Sequence, residues 1–356
     1  MFWLLLAAHA VLLALTAVNV VYWRRSRTRV APLPAPPPRV SVLVPARNEE
    51  ENLRRLLPSL LAQAYPAFEV VVVDDASEDG TAAVLAAHAD PRLRVIRGDG
   101  PPPGWIGKVH ACWQAAREAR GDLFLFLDAD AALTDPGALS RLAGRWQAAG
   151  GMGAALSGLP RYRGEGGGLL LTSLIPFALL SSLPLPLVPR TRRPALGALN
   201  GQCWLLAAGD YRRLDPHAAH PDEVLEDVMI GRYLKQHGLH LMLADLGGEV
   251  EVRMYRTLGE AWRGFRKNAF LLQGGRLLPF LAFHLLYVLL FVAAPLFGWP
   301  LLGTLYALKG ATDRVARLPL WITLLTPLVL LGGALLQLDS ALAHARGAVT
   351  WKGRRV

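Results

Sequence analysis

Charged residues are scarce in this chain and cysteine is scarcer. Of its 356 residues, 19% are charged and two are cysteine, Cys112 and Cys203. Two distant cysteines match no zinc-binding pattern, and in a reducing compartment they stay thiols, so both read as small apolar core residues. Residues 1–23 carry no charge at all, an apolar stretch long enough to cross a bilayer core of about 30 Å. Arg24, Arg25, Arg27 and Arg29 follow it. A secretory signal peptide carries its positive charge in front and a small-residue cleavage site behind, so this order excludes one. The positive-inside rule keeps these arginines in the cytoplasm, with the N-terminus outside and the chain after residue 24 beginning inside.

Acidic residues are outnumbered, 28 against 38 Lys and Arg, a net charge of +10. No aromatic-and-basic motif marks a nucleic-acid partner, so the excess is read as a face for anionic headgroups. Hydrophobic residues make up 53% of the chain and are unevenly placed. A second apolar region runs from Leu277 to Leu308, interrupted at GWP (298–300), and a third from Leu318 to Leu338. Residues 276–340 are therefore expected to hold two crossings, or three segments if the interrupted stretch is re-entrant. Residues 341–356, with Arg346, Lys352, Arg354 and Arg355, form a basic tail expected in the cytoplasm. These features predict a multi-pass protein of the inner (cell) membrane.

Between the membrane regions the pattern changes. Residues 24–38 form a basic, proline-rich linker ending in APLPAPPP, which reads as a semi-rigid spacer. Strand and helix signals then alternate. VSVLVPA (40–46), FEVVVVDDA (68–76), LRVIRG (93–98) and DLFLFLD (122–128) are apolar runs expected of strands covered on both faces. Helical stretches at about 48–63, 79–89 and 108–119 separate them, which implies βαβ units and a mostly parallel α/β sheet. Ligands bind such sheets at the carboxyl ends of the strands. Here those ends read PARNEE, DDASEDGT, RGDGPPPGWIGK and DADA.

Asp128 and Asp130, at i and i+2, point to one side at a strand end. Such a pair suits Mg²⁺ or Mn²⁺, which prefer hard oxygen ligands and complete their shell with phosphate oxygens and water. Other nucleotide motifs fail. GPPPGWIGKVH has Pro102 where a Walker A loop needs glycine and Val109 where it needs Ser or Thr, and GDGPPPG misses the G-x-G-x-x-G spacing.

Over residues 39–275 the chain resembles the family-2 glycosyltransferases of GT-A fold. The motifs VPARNEE (44–50), VVVVDDASEDGT (70–81), GWIGKVHACWQA (104–115), FLFLDADA (124–131), LNGQCWLL (199–206) and EVLEDVMIGRYL (223–234) occur in order. Within the family it is most similar to the membrane-bound hopanoid-associated and carotenoid-type glycosyltransferases, which also carry a terminal segment like WKGR (351–354). The resemblance implies a Rossmann-like GT-A domain and a nucleotide-diphosphate sugar donor. It implies that Pro45, Ala46, Arg47 and Glu49 line the nucleotide pocket, that Asp75 contacts the base and that Lys108 lies near the nucleotide or its diphosphate. Asp128 would face the ribose or metal, Asp130 would be the principal metal ligand, and Asp227 would be the catalytic base. Asn200, Gly201, Gln202, Glu226, Arg253, Arg256 and Trp262 would lie on the acceptor side. The pair Glu226–Asp227 falls in a stretch read as a helix, where adjacent side chains point about 100° apart.

The chain departs from the processive synthases of the family, whose Q-x-x-R-W motif it lacks. Near 257–273, within RMYRTLGEAWRGFRKNAF (253–270), it has instead a basic amphipathic helix suited to the headgroup plane. Addition of a single sugar is therefore expected rather than a long polymer. LLLTSLIPFALLSSLPLPLVP (169–189) is long enough to cross, but one crossing would put Asp128 and Asp227 on opposite sides of the membrane. Residues 169–193 are read as an interfacial segment. The expected function is an inverting transfer of one sugar to a lipid acceptor at the cytoplasmic face. A polyprenyl-phosphate glycosyltransferase, a nucleotidyltransferase and a non-catalytic sugar-nucleotide-binding membrane protein are the alternatives.

Overall fold

The computed structural model describes residues 1–164, 166–351, 354 and 355. Two compact units divide the chain. One comprises Met1–Arg24, Tyr162–Pro186 and Arg253–Val356, and the other Arg25–Arg161 and Leu187–Val252. Lys352 and Gly353, on which the WKGR part of the resemblance falls, lie outside the described residues, as does Val356.

The second unit is built on a seven-stranded sheet. Its strands in chain order are β1 (Val40–Ala46), β2 (Phe68–Asp75), β3 (Leu93–Gly98), β4 (Leu123–Leu127), β5 (Ala154–Leu159), β6 (Cys203–Ala207) and β7 (His240–Asp245). Spatially they run β3-β2-β1-β4-β6-β5-β7. All neighbours are parallel except β6, which is antiparallel to β4 and β5. The apolar runs of β1, β2 and β4 are buried along nearly their whole length, as strands covered on both faces must be. β3 differs from expectation. As an edge strand it is only partly buried, and Arg94 on it donates to the Glu118 carboxylate at 2.9 Å and to the Glu118 carbonyl at 2.7 Å. Charge on an edge strand opposes pairing with other chains.

The linker is fastened to the sheet-bearing unit. Arg145, 4% exposed, donates to the carbonyls of Ser26 at 2.7 Å and Arg27 at 2.8 Å and to Glu249 at 2.9 Å. The Ser26 hydroxyl accepts from the Asp245 amide at 2.9 Å, and Arg27 pairs with the Asp245 carboxylate. Gly144 allows this approach: a Cβ there would stand 2.7 Å from Val30 and 2.8 Å from the Ala31 carbonyl. Farther along, the Pro38 carbonyl accepts from the Tyr65 hydroxyl at 2.7 Å.

The first unit is helical. Phe2–Ser26, Leu277–Phe297 and Thr326–Ala345 are long and apolar enough to cross a membrane, while Gly168–Ser182 is shorter. Phe177 of that shorter segment is buried against Leu305, Leu308 and Leu330. Several polar groups inside the helices are paired, as an apolar surrounding favours. His9 meets the Thr304 hydroxyl and the Leu290 carbonyl, Asn19 donates to the carbonyls of Leu180 and Leu183, and Lys309 pairs with Asp313. The amphipathic segment forms Leu258–Arg266, started by a capping box in which Thr257 accepts from the Glu260 amide and Glu260 accepts from the Arg256 amide.

Arg145→Ala leaves the buried Glu249 carboxylate with a weaker partner and two linker carbonyls with none from this side chain. It is expected to cost about 3 kcal/mol or more, read as a lower thermal midpoint of the purified chain. An unchanged midpoint would mean that docking of the linker contributes nothing to stability.

Candidate active site

The carboxyl ends of β1, β2 and β4 open on one edge of the sheet. The first two loops there are stitched together. After Ala46 the chain turns at Asn48, whose φ of 52° an asparagine tolerates. The Asn48 amide donates to the Ser77 hydroxyl at 3.0 Å, the Asn48 side chain accepts from the Glu78 amide at 2.8 Å, and the Glu49 amide donates to Thr81 at 2.8 Å. Arg47 donates to the carbonyls of Asp75 and Ala76 at 2.8 and 2.9 Å and pairs with Glu78 at 3.2 Å. The guanidinium therefore fixes the loop that follows β2. Pro45 and Ala46 end β1 beside it, and Asp75 ends β2 as a buried side chain.

At the end of β4 the acidic groups converge on one lysine. Lys108 Nζ lies 2.9 Å from Asp128 Oδ1 and 3.0 Å from Glu226 Oε1. Burial alone would lower the lysine pKa, but Asp128 and Glu226 hold it well above its usual value, so it stays an ammonium. Asp130, two residues on, is pushed up to about 7 by burial and by the charges of Asp128 and Glu49. Its Oδ1 is buried and has no hydrogen-bond partner, while its carbonyl accepts from Arg55.

Antiparallel β6 brings the NGQ turn to this edge, because Leu127 pairs with Cys203 and the turn precedes Cys203. Asn200 donates to the Gly158 carbonyl at 2.9 Å, and the Gln202 carbonyl accepts from the Asp128 amide at 3.2 Å. The Gly201 amide donates to Asp227 Oδ2 at 2.9 Å, and the Val228 amide donates to Oδ1 at 2.8 Å. Burial and the Glu226 charge raise the Asp227 pKa to about 6, against the opposing pull of Lys108 and these two amides.

The helix carrying the pair begins at Glu226 and runs to Gln236. Both acidic residues lie in its first turn and both serve the site, Glu226 toward Lys108 and Asp227 toward Gly201. Arg253, Arg256 and Trp262, expected on the acceptor side, belong to the other unit, where Trp262 Nε1 donates to Asp339 at 2.8 Å.

Residues 41–206 match the family model described as Glycosyl transferase family 2. That stretch, from β1 to β6, is similar to family-2 glycosyltransferase domains. A similar protein is the 4,4'-diaponeurosporenoate glycosyltransferase of Staphylococcus aureus (strain MRSA252), 28% identical over 233 residues, 63% of this chain and 59% of that one. The chain thus spans less than two thirds of that relative. Among solved structures, a mannosyltransferase from Pyrobaculum calidifontis in complex with GDP-Man and Mn²⁺ aligns over 97% of this chain and 99% of its own. The TM-score is 0.56 at 22% identity, a likeness of fold. The fold is therefore GT-A-like.

Among the described residues no three His, Cys, Asp or Glu side chains converge as a ready cation cage. The unpartnered Asp130 oxygen beside Asp128 nonetheless fits a hard divalent ion, which needs few protein ligands when phosphate and water supply the others. Arg55 was not singled out from sequence. Its position on the helix Glu50–Leu61, outside any motif, carried no signal.

Gly201 has no room to grow: a Cβ would stand 3.1 Å from Lys108 Nζ, 3.3 Å from Asp227 Oδ2 and 3.4 Å from Glu226 Oε1. Gly201→Val is expected to weaken nucleoside-diphosphate binding by about tenfold, a typical cost of crowding a packed site, with the fold retained by circular dichroism. Unimpaired binding would mean that these charged groups need not hold their positions.

Proposed function

We propose that this chain is a membrane-bound, metal-dependent inverting glycosyltransferase that moves one sugar from a nucleotide-diphosphate donor to a lipid hydroxyl at the cytoplasmic face. The observation that carries the reading is Asp227. It is held by two backbone amides, has its pKa raised to about 6, and stands beside a lysine bridged to Asp128 and Glu226.

The donor would lie along the carboxyl edge of the sheet, with its base toward Asp75 and its diphosphate toward Lys108 and Asp128. Lys108 offers a permanent positive charge to the diphosphate, and the Asp128 and Glu226 carboxylates orient it. Asp130, with Asp128, would hold Mg²⁺ or Mn²⁺, which when bound supplies charge to the leaving diphosphate. Asp227 accepts the proton of the acceptor hydroxyl as that oxygen attacks the anomeric carbon and the bond to the diphosphate breaks. Attack opposite the leaving group inverts the configuration. The lipid acceptor and the membrane setting are supported by the three apolar helices and by the name of the staphylococcal relative. The arginines after Trp23 support the cytoplasmic orientation.

A carboxylate acting as base contributes about 10²–10⁴-fold. Asp227→Asn should keep donor-nucleotide affinity and lose transfer by about that factor, measured by mass spectrometry of glycosylated lipid. Wild-type kcat/KM should fall about tenfold per pH unit below about pH 6, because the raised pKa protonates the base there and frees it above. The Asn variant should lose that inflection. If Asp227→Asn turns over normally, Asp227 is structural and the mechanism is wrong.

A further inference from the structure

The helix Gly107–Glu118 packs across β1 and β2, between the strand ends that carry Asp75 and Asp128. The mechanism uses only Lys108, on the flank facing β4. His110 and Gln114, four residues apart and therefore on one face, lie on the flank facing β2 and β3.

Gly98 marks the spot they look onto. It is the last residue of β3 and pairs in the ladder with Asp75. A Cβ on Gly98 would stand 3.4 Å from the Asp74 carbonyl, 3.5 Å from Gln114 Oε1 and 3.6 Å from Asp75 Cα. These separations place the Gln114 amide beside the Asp75 strand end at ordinary packing distance. His110 is 9% exposed, close enough to Asp75 to feel its charge, and braced by Trp105 and Trp113 at ring distances of 5.3 and 5.8 Å. Among the described residues neither the His110 ring nitrogens nor the Gln114 amide makes a hydrogen bond. Their polar atoms are not sealed from solvent, so they are available to a ligand.

We propose that His110 and Gln114, together with Asp75, read the hydrogen-bonding edge of the donor's nucleobase and so set donor specificity. This rests on the donor reading above. The order of the strands supports it: the diphosphate end of the donor falls at β4 and Lys108, and the base end at β2 and β3, with one helix serving both. The chemistry favours a base with an adjacent N–H and C=O, which is uracil or guanine. Asp75 as a carboxylate accepts from the ring N–H, and the neutral imidazole and amide donate to the carbonyl. Adenine and cytosine present a ring nitrogen acceptor at that place, opposing two acceptors.

The test is competition binding of UDP, GDP, CDP, ADP and inorganic pyrophosphate to the full chain in nanodiscs with Mn²⁺. Wild type should bind UDP or GDP at least about tenfold more tightly than CDP and ADP. His110→Ala and Gln114→Ala should each lose most of that margin by weakening the preferred nucleotide, with pyrophosphate affinity within about twofold of wild type. An unchanged margin in both variants, a wild-type preference for CDP or ADP, or an equal loss for every nucleotide and for pyrophosphate overturns the proposal while leaving the donor reading standing. Failure of wild type to bind any nucleoside diphosphate overturns both.

Discussion

The Lys108 ammonium between Asp128 and Glu226 is the contact on which the site depends. It ties the end of β4 to the first turn of the helix Glu226–Gln236, two segments about a hundred residues apart in sequence. Without it, Asp128, Asp130, Glu226 and Asp227 would crowd one partly buried edge with negative charge. Coulomb repulsion is strong where water is thinned out, so the site needs a cation in every state. Even with the lysine in place, Asp130 and Asp227 are both raised, to about 7 and about 6. The edge remains short of positive charge, which is the condition a divalent ion relieves.

Packing behind this edge keeps the carboxylates in place. Phe126, two residues before Asp128 and on the same side of β4, stacks on Trp204 of β6 at 4.0 Å. His217 packs against Phe126 at 5.0 Å and shares a 2.8 Å hydrogen bond with the Tyr211 hydroxyl. Burial holds His217 neutral, with its pKa down to about 3, so this cluster adds no charge behind the acidic edge. The same logic governs the linker, where the two terminal nitrogens of buried Arg145 are paired with Glu249 and two carbonyls.

Much of this was legible in the chain because parallel strands announce themselves as uninterrupted apolar runs. β1 begins and ends where VSVLVPA does, and the polar residues after β1, β2 and β4 fall on one edge. Antiparallel β6 was visible only as part of a motif. Its direction, which delivers Asn200–Gln202 to Asp128, is a tertiary fact with no local signature. Asp128, Asp130 and Asp227 could be named from their motifs, but the Lys108–Glu226 pair could not, because nothing local says that a lysine at residue 108 meets a glutamate at residue 226. His110 and Gln114 were hidden for a related reason: on a helix, only the packing partner distinguishes one polar face from another. How the linker is fastened could not be read either, since it depends on Gly144 and Arg145, far away in sequence.

The central claim is that this acidic edge accepts a divalent cation and a nucleoside diphosphate jointly. Calorimetric titration of UDP and GDP into the full chain, with Mn²⁺ and with chelator, tests it without any acceptor. The account predicts that Mn²⁺ tightens the preferred diphosphate by at least about tenfold, that the diphosphate tightens Mn²⁺ reciprocally, and that Asp130→Asn removes the coupling. Equal affinity in Mn²⁺ and in chelator would contradict it.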